Sequence, residues 1–220
     1  QAFVSDIRIS YSPKQQYMLE PNRKIILRNP WPTFTLNHKK GWQGPLGSDV
    51  AFDYLEFSIY QSFNIGIFGK STYTFSSGKF VNTKELKFID YTRFRQSDPI
   101  FFSNPLYSFQ MLDTALAIST MYYEGHYLHR FNGALINNIP RLKKSRIMAV
   151  AGAGALWINE PNYRYFEVLA GVERIFKRGA RRRLKRGVYG GVGESNLART
   201  RPGLKFSLDI IDTWKNNWNY

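Results

Sequence analysis

The chain has 220 residues, 31 Lys and Arg against 16 Asp and Glu, a formal net charge of +15 and no cysteine. That length holds one or two soluble domains or one modest barrel, and the missing cysteines exclude disulfide frameworks, Cys-ligated zinc and thiol catalysis. Aromatic residues make up 16% (17 Phe, 14 Tyr, 5 Trp), a load that favours strands and membrane interfaces, and no apolar run approaches the ~18 residues of a transmembrane helix.

Period-2 alternation begins at once. Phe3, Ser5, Ile7, Ile9 and Tyr11 alternate with Val4, Asp6, Arg8 and Ser10, and Pro13 ends the strand. A connection with Pro21, Asn29, Pro30 and Pro32 leads to a second alternating run, Thr33 to Lys39. Gly41 to Asp49 reads as a loop from its glycines and proline. Leu55, Phe57, Ile59 and Phe63 then alternate with Glu56, Ser58, Tyr60 and Ser62. A tight turn at Asn64-Ile65-Gly66 and a strand through Tyr73 and Phe75 complete a hairpin.

From Ser77 to Leu106 the pattern dissolves into a long stretch carrying Phe80, Phe88, Tyr91, Phe94, Phe101 and Phe102. Loops of this length are uncommon in compact domains and usually functional. The expectation is a cell-surface loop that caps a barrel or meets a partner. Ala115 to Phe131 reads as one long strand, with a helix over Met111 to Tyr123 as the rival.

The chain continues with alternating segments at Ile147–Trp157, Tyr165–Phe176 and Leu184–Val192. The small residues of the first, on both faces, suggest close packing or curvature. In the last strand Leu204, Phe206, Leu208 and Ile210 point one way and Lys205, Ser207 and Asp209 the other. The count is about nine strands, an all-β chain with regular turn signals. Its longer loops fall on one end and its tight turns on the other, with Asn132–Lys144 the exception. That asymmetry is the one expected of an antiparallel transmembrane β-barrel with a periplasmic C-terminus. An odd count leads to the expectation that residues 1–211 are strands of a larger barrel whose other strands precede Gln1, with 212–220 a polar, aromatic tail.

The facing follows from the stripes. Leu55, Phe57, Ile59, Phe166, Val168, Val172, Leu204, Phe206 and Leu208 are expected to face lipid, and Glu167, Glu173, Lys205 and Asp209 a wet lumen. Glu167 and Glu173 stand roughly 20 Å apart along a strand, too far for an acid/base pair on one sugar, so pairing with lumen arginines is the favoured account. His126 and His129, three apart, face opposite ways on a strand, which argues against a metal site. Gly190-Gly191-Val192-Gly193 is glycine-rich but opens no helix in a βαβ unit, so close contact or curvature explains it better than a phosphate loop. The basic run Lys177–Arg186 fits lumen pairing or head-group contact better than nucleic acid, since no RNA- or DNA-binding motif accompanies it.

The segment from Tyr123-Glu124-Gly125-His126-Tyr127 through Pro140-Arg141-Leu142-Lys143-Lys144 resembles a stretch in large outer-membrane proteins of the Bacteroidota whose function is not established. In those proteins a carboxypeptidase-regulatory-like domain precedes a C-terminal barrel. Pro32 to Gly41, Tyr107 to Met111 and Gly171 to Lys177 are similar in the same order. The barrel ending is also broadly similar to that of assembly and translocation barrels of the outer membrane. Gly203, Phe206 and Leu208 are similar to the C-terminal signal read by barrel-assembly machinery. The resemblance implies the C-terminal half of an integral outer-membrane barrel, and the residue patterns add the expectation of a non-catalytic chain without a cofactor. The expected role is transport, assembly or surface anchoring. Its implied partners are outer-membrane lipid and lipopolysaccharide, the assembly machinery during biogenesis, and other outer-membrane proteins or lipoproteins, with no nucleic acid. The alternative is a soluble, basic, all-β module that binds nucleic acid or another polyanion; detergent partitioning separates the two.

Overall fold

A computed structural model describes residues 1–21, 23–27, 29–113, 115–131, 147–178, 182–197 and 201–212. The chain is all-β. Among the described residues nine strands form one antiparallel sheet in the order β1 (Val4–Tyr11), β4 (Thr33–Gly41), β5 (Ala51–Asn64), β6 (Lys70–Glu85), β9 (Tyr122–Phe131), β10 (Ile147–Ile158), β11 (Tyr163–Arg178), β12 (Arg182–Ser195) and β13 (Arg201–Asp212). Two small hairpins stand apart from it: β2 (Tyr17–Glu20) with β3 (Arg23–Ile26), and β7 (Thr92–Arg93) with β8 (Ala117–Ile118). Every neighbour in the large sheet is next in chain order, once the hairpin strands are set aside, so each contact is a meander step.

The sheet is not closed into a barrel: β1 and β13 are its two edges. Because the nine strands alternate in direction, β1 and β13 run the same way.

Register sets lateral rows across the sheet. On one face Phe34, Ile59, Phe75, Gly125, Ala155 and Phe166 stand side by side, as do Ala149, Val172, Val188 and Phe206. Among the described residues nothing covers this face. The opposite face carries Tyr54, Thr74, His126, Leu156, Tyr165, Glu167 and Tyr189, and the segment between β6 and β9 lies across it. The main core forms there: Phe52, Tyr54, Phe80, Phe94, Phe109, Leu112, Tyr122, Leu156, Ile158 and Tyr165 are all buried.

Two expectations shift. β6 continues to Glu85 through the stretch read as patternless. Past Gly78 the sidedness is unchanged, with Lys79 and Val81 on the uncovered face, but the polarity switches: an aromatic, Phe80, now points to the covered face and enters the core beside Tyr54 (ring centroids 4.8 Å apart). Over Met111 to Tyr123 the described residues hold neither a helix nor a continuous strand, only β8 and the start of β9. Tertiary anchors on Gln110 and Met111, described below, override the local helix propensity there. The Asn132–Lys144 connection, the 179–181 turn and the tail beyond residue 212 lie outside the described residues.

Candidate functional site

The segment from Leu86 to Leu116 is fastened to the covered face at points spread from β6 to β13. The Glu167 carboxylate, 1% exposed, is the central one. It accepts the backbone N–H of Gln110 (2.9 Å to each oxygen) and of Met111 (2.8 Å), and the Tyr165 hydroxyl (2.8 Å). Met111 then lies in a seat made by three glycines. A Cβ on Gly191, Gly193 or Gly203 would stand 2.7 Å from its side chain, closer than real Cβ atoms approach. The glycine-rich run thus serves close contact, as its sequence suggested, and the contact is with a crossing segment as well as with the neighbouring strand β11.

Further along, the Phe102 ring stacks on Tyr189 with centroids 3.5 Å apart. Lys205 Nζ donates to the Asp98 carbonyl at 2.5 Å. The free edge of β13 is met at one residue: Phe102 N–H donates to the Phe206 carbonyl (2.8 Å), and Phe206 N–H to that of Ile100 (3.0 Å). The segment is also held from within. Asp98 Oδ1 accepts the N–H groups of Ile100 (2.8 Å) and Phe101 (2.9 Å), and these bonds, Phe101's first, hold its carboxyl below the ordinary value of 3.8.

Phe166, Val168, Val172, Leu204, Phe206, Leu208, Leu55 and Phe57 are exposed on the uncovered face, from 39% for Phe57 to 70% for Leu204; Ile59 is half-buried there. Glu167, Glu173 and Lys205 are buried on the covered face and Asp209 is exposed. Glu173 accepts the Tyr189 hydroxyl at 2.6 Å, with Arg130 Nε at 3.9 Å and Lys185 Nζ at 3.8 Å, close to the expected pairing with basic groups. Glu167 departs from it, since backbone amides and a tyrosine surround it instead of arginines. The surroundings of Glu167 are dry rather than wet because the crossing segment shields them. His126 sits on the covered face, and His129 is bonded to Ser71 Oγ (2.7 Å) and the Phe68 carbonyl (3.0 Å). Among the described residues no cluster of His, Asp and Glu has the makings of a metal site.

Sequence reasoning missed a cavity of about 480 Å3 between β5, β6, β9 and the crossing segment. Its wall holds Glu56, Glu124 and His126, and the Tyr54 and Tyr122 hydroxyls bond to one another at 2.8 Å. Its rim holds Arg8, Arg93 and Arg95. The polar parity of β5 and β9 was visible in the sequence, but the partner that closes the cavity was not.

These features define an all-β protein built on an open antiparallel sheet, with one apolar face bare and a seated crossing segment on the other. The chain belongs to the family of unknown function DUF5686, matching the model of its C-terminal domain over residues 1–172. No curated protein matches the chain, and no solved structure does.

Proposed function

We propose that the sheet is part of the wall of an outer-membrane β-barrel, non-catalytic, with a transport, assembly or surface-anchoring role. The bare face meets lipid and lipopolysaccharide, the covered face is the lumen side, and the C-terminal end of β13 is periplasmic. Barrel-assembly machinery is the partner during biogenesis, and other outer-membrane proteins or lipoproteins are candidate partners afterwards.

One observation carries this reading: polarity in β11 is inverted relative to a soluble sheet. Phe166, Val168, Ala170 and Val172 are exposed while Glu167 and Glu173 are buried. Soluble strands bury the apolar stripe and expose the charged one. The bare apolar face also has limits of the right size. At one end Arg164 lies over the Trp157 ring (5.1 Å), next to Tyr123 and Phe75. At the other Arg174 lies over Phe176 (4.7 Å), with Arg186 on the same ring (5.7 Å). Between Arg164 and Arg174 the strand runs roughly 33 Å at about 3.3 Å per residue. At a tilt of ~40° that projects to about 25 Å, the height of the apolar band in outer-membrane barrels, which aromatic girdles flank. Arginines beside aromatic rings at both limits suit head-group level.

A sheet edge left open in hydrocarbon costs several kcal/mol for each unpaired backbone group, as an order of magnitude. β1 and β13 run in the same direction, so an antiparallel closure takes an odd number of further strands between them. The experiment is site-directed spin labelling in lipid vesicles at positions 168, 172 and 204. Oxygen, which concentrates in lipid, should relax these labels strongly and a polar chelate weakly. Labels reached by the chelate as readily as one at the exposed residue Leu46 would refute the reading.

A further inference from the structure

The cavity bounded by β5, β6, β9 and the crossing segment has a two-sided chemistry that the barrel reading does not use. Its floor is a lattice of polar groups fixed by strand register. Ser58 pairs with Ser76 and Ser76 with Glu124, while the neighbouring row sets Glu56 opposite Gly78 and Gly78 opposite Tyr122. Gly78 admits the Tyr54–Tyr122 hydroxyl pair, because a Cβ there would stand 2.5 Å from the Tyr122 ring. The floor thus presents serine hydroxyls and carboxylates, which bond to donors and acceptors spaced along a ligand.

His126 adds a demand. Its side chain is 3% exposed, and its Nε2 lies 2.8 Å from Glu124 Oε1. A carboxylate only accepts, so Nε2 carries the proton of that bond. In the neutral ring Nδ1 is then an acceptor, and it is buried with no partner. A buried polar atom left unpaired is costly, and an O–H donor supplied by a ligand would satisfy it.

The rim is opposite in character. Arg93 and Arg95 come from the crossing segment and Arg8 from β1. None of the three has a carboxylate in ion-pair contact among the described residues, although the field of Arg8 reaches Glu56. Guanidinium groups bind carboxylates and phosphates through paired hydrogen bonds. Tyr60 and Tyr107, 39% and 53% exposed, also line the cavity and offer amphipathic rings. The volume, about 480 Å3, is within the common range for small-molecule sites.

We propose that this cavity binds a saccharide bearing an anionic group, its hydroxyls on the serines, Glu56, Glu124 and His126, its anion on the arginines, and its ring faces against Tyr60 and Tyr107. The anion is a carboxylate or a phosphate, and the geometry serves both. The site lies wholly on the covered face, so the proposal stands or falls apart from lipid contact on the other.

The test is isothermal titration of the full chain, in whichever of detergent or buffer keeps it monodisperse, with four probes: digalacturonate, glucose 1-phosphate, maltose and inorganic phosphate. One of the two acidic saccharides should bind at least tenfold more tightly than both maltose and inorganic phosphate, and which one does so identifies the anion. Arg93→Ala with Arg95→Ala should weaken that binding at least tenfold while leaving the near-ultraviolet circular dichroism unchanged. His126→Phe should weaken it too, and a gain with His126→Gln over His126→Phe would mark the lost acceptor rather than lost packing. The proposal is overturned if neither acidic saccharide binds at millimolar concentration, if maltose or inorganic phosphate binds equally well, or if the double arginine variant binds as the native chain does.

Discussion

Replacing Glu167 by Ala should release the crossing segment without unfolding the sheet. The carboxylate accepts three donors that have no other route to satisfaction: two backbone N–H groups, from Gln110 and Met111, and the Tyr165 hydroxyl. Each buried donor left unmet costs about 1–3 kcal/mol. The buried Lys205 also loses the attraction of the Glu167 charge. Against this stands the relief of no longer burying a carboxylate. A net loss of about 2–4 kcal/mol is therefore reasonable for the seated state, and it raises the fraction of released segments ~30- to ~1,000-fold. The β10–β11 and β11–β12 ladders do not depend on this carboxylate, so the sheet should persist. Limited trypsinolysis reads the result, since Lys87, Arg93 and Arg95 lie on the segment. Cleavage there should accelerate by a factor of that order while cleavage elsewhere and far-ultraviolet circular dichroism stay constant. Equal cleavage rates for native and variant chains would show that Glu167 does not hold the segment.

Val168→Arg should cost about 2–4 kcal/mol of folding stability in bilayers, measured by urea titration, and the same change at Leu46 in the loop should cost nothing measurable. Gly203→Val should drive the Met111 side chain from its seat, so its trypsin pattern should match that of Glu167→Ala. The depressed carboxyl of Asp98 predicts a pH response: its stabilising bonds to Phe101 and Ile100 are fully present above the ordinary carboxylate value of 3.8 and are lost as pH falls through the lower folded-state value. Amide exchange at Ile100 and Phe101 should thus stay protected at pH 5, rise steeply only below pH ~3.8, and lose that step in Asp98→Ala.

Strand existence and facing were legible because they are local. The Phe166–Val172 stripe and the Leu204–Leu208 stripe each carry a clean period of two, and the exposure of those side chains agrees with the stripes. What the sequence hid was what lies over the polar face. A strand records that Glu167 points away from Val168, but nothing local distinguishes a carboxylate in water from one that binds the amides of Gln110 and Met111, 57 and 56 positions earlier. The aromatics between Phe88 and Phe102 signalled that the long segment must pack somewhere. The path of the segment depended on the glycines at 191, 193 and 203, whose use as a seat for Met111 appears only once β12 and β13 stand side by side.

The same logic explains why an inward segment is compatible with a polar face. A polar face carrying Glu167, Glu173 and Lys205 and left bare would keep these charges in water at no cost, and the segment's aromatics would stay exposed. Seating the segment buries Phe94, Phe109 and Leu112, a favourable transfer of roughly 1.5–3 kcal/mol for each fully buried side chain of that size. It must also desolvate charges, and those charges have been given partners: amides and tyrosine hydroxyl for Glu167, Tyr189 with two basic groups for Glu173, the Asp98 carbonyl for Lys205. The burial of apolar rings and the pairing of charges together place the segment across the sheet rather than beyond its end.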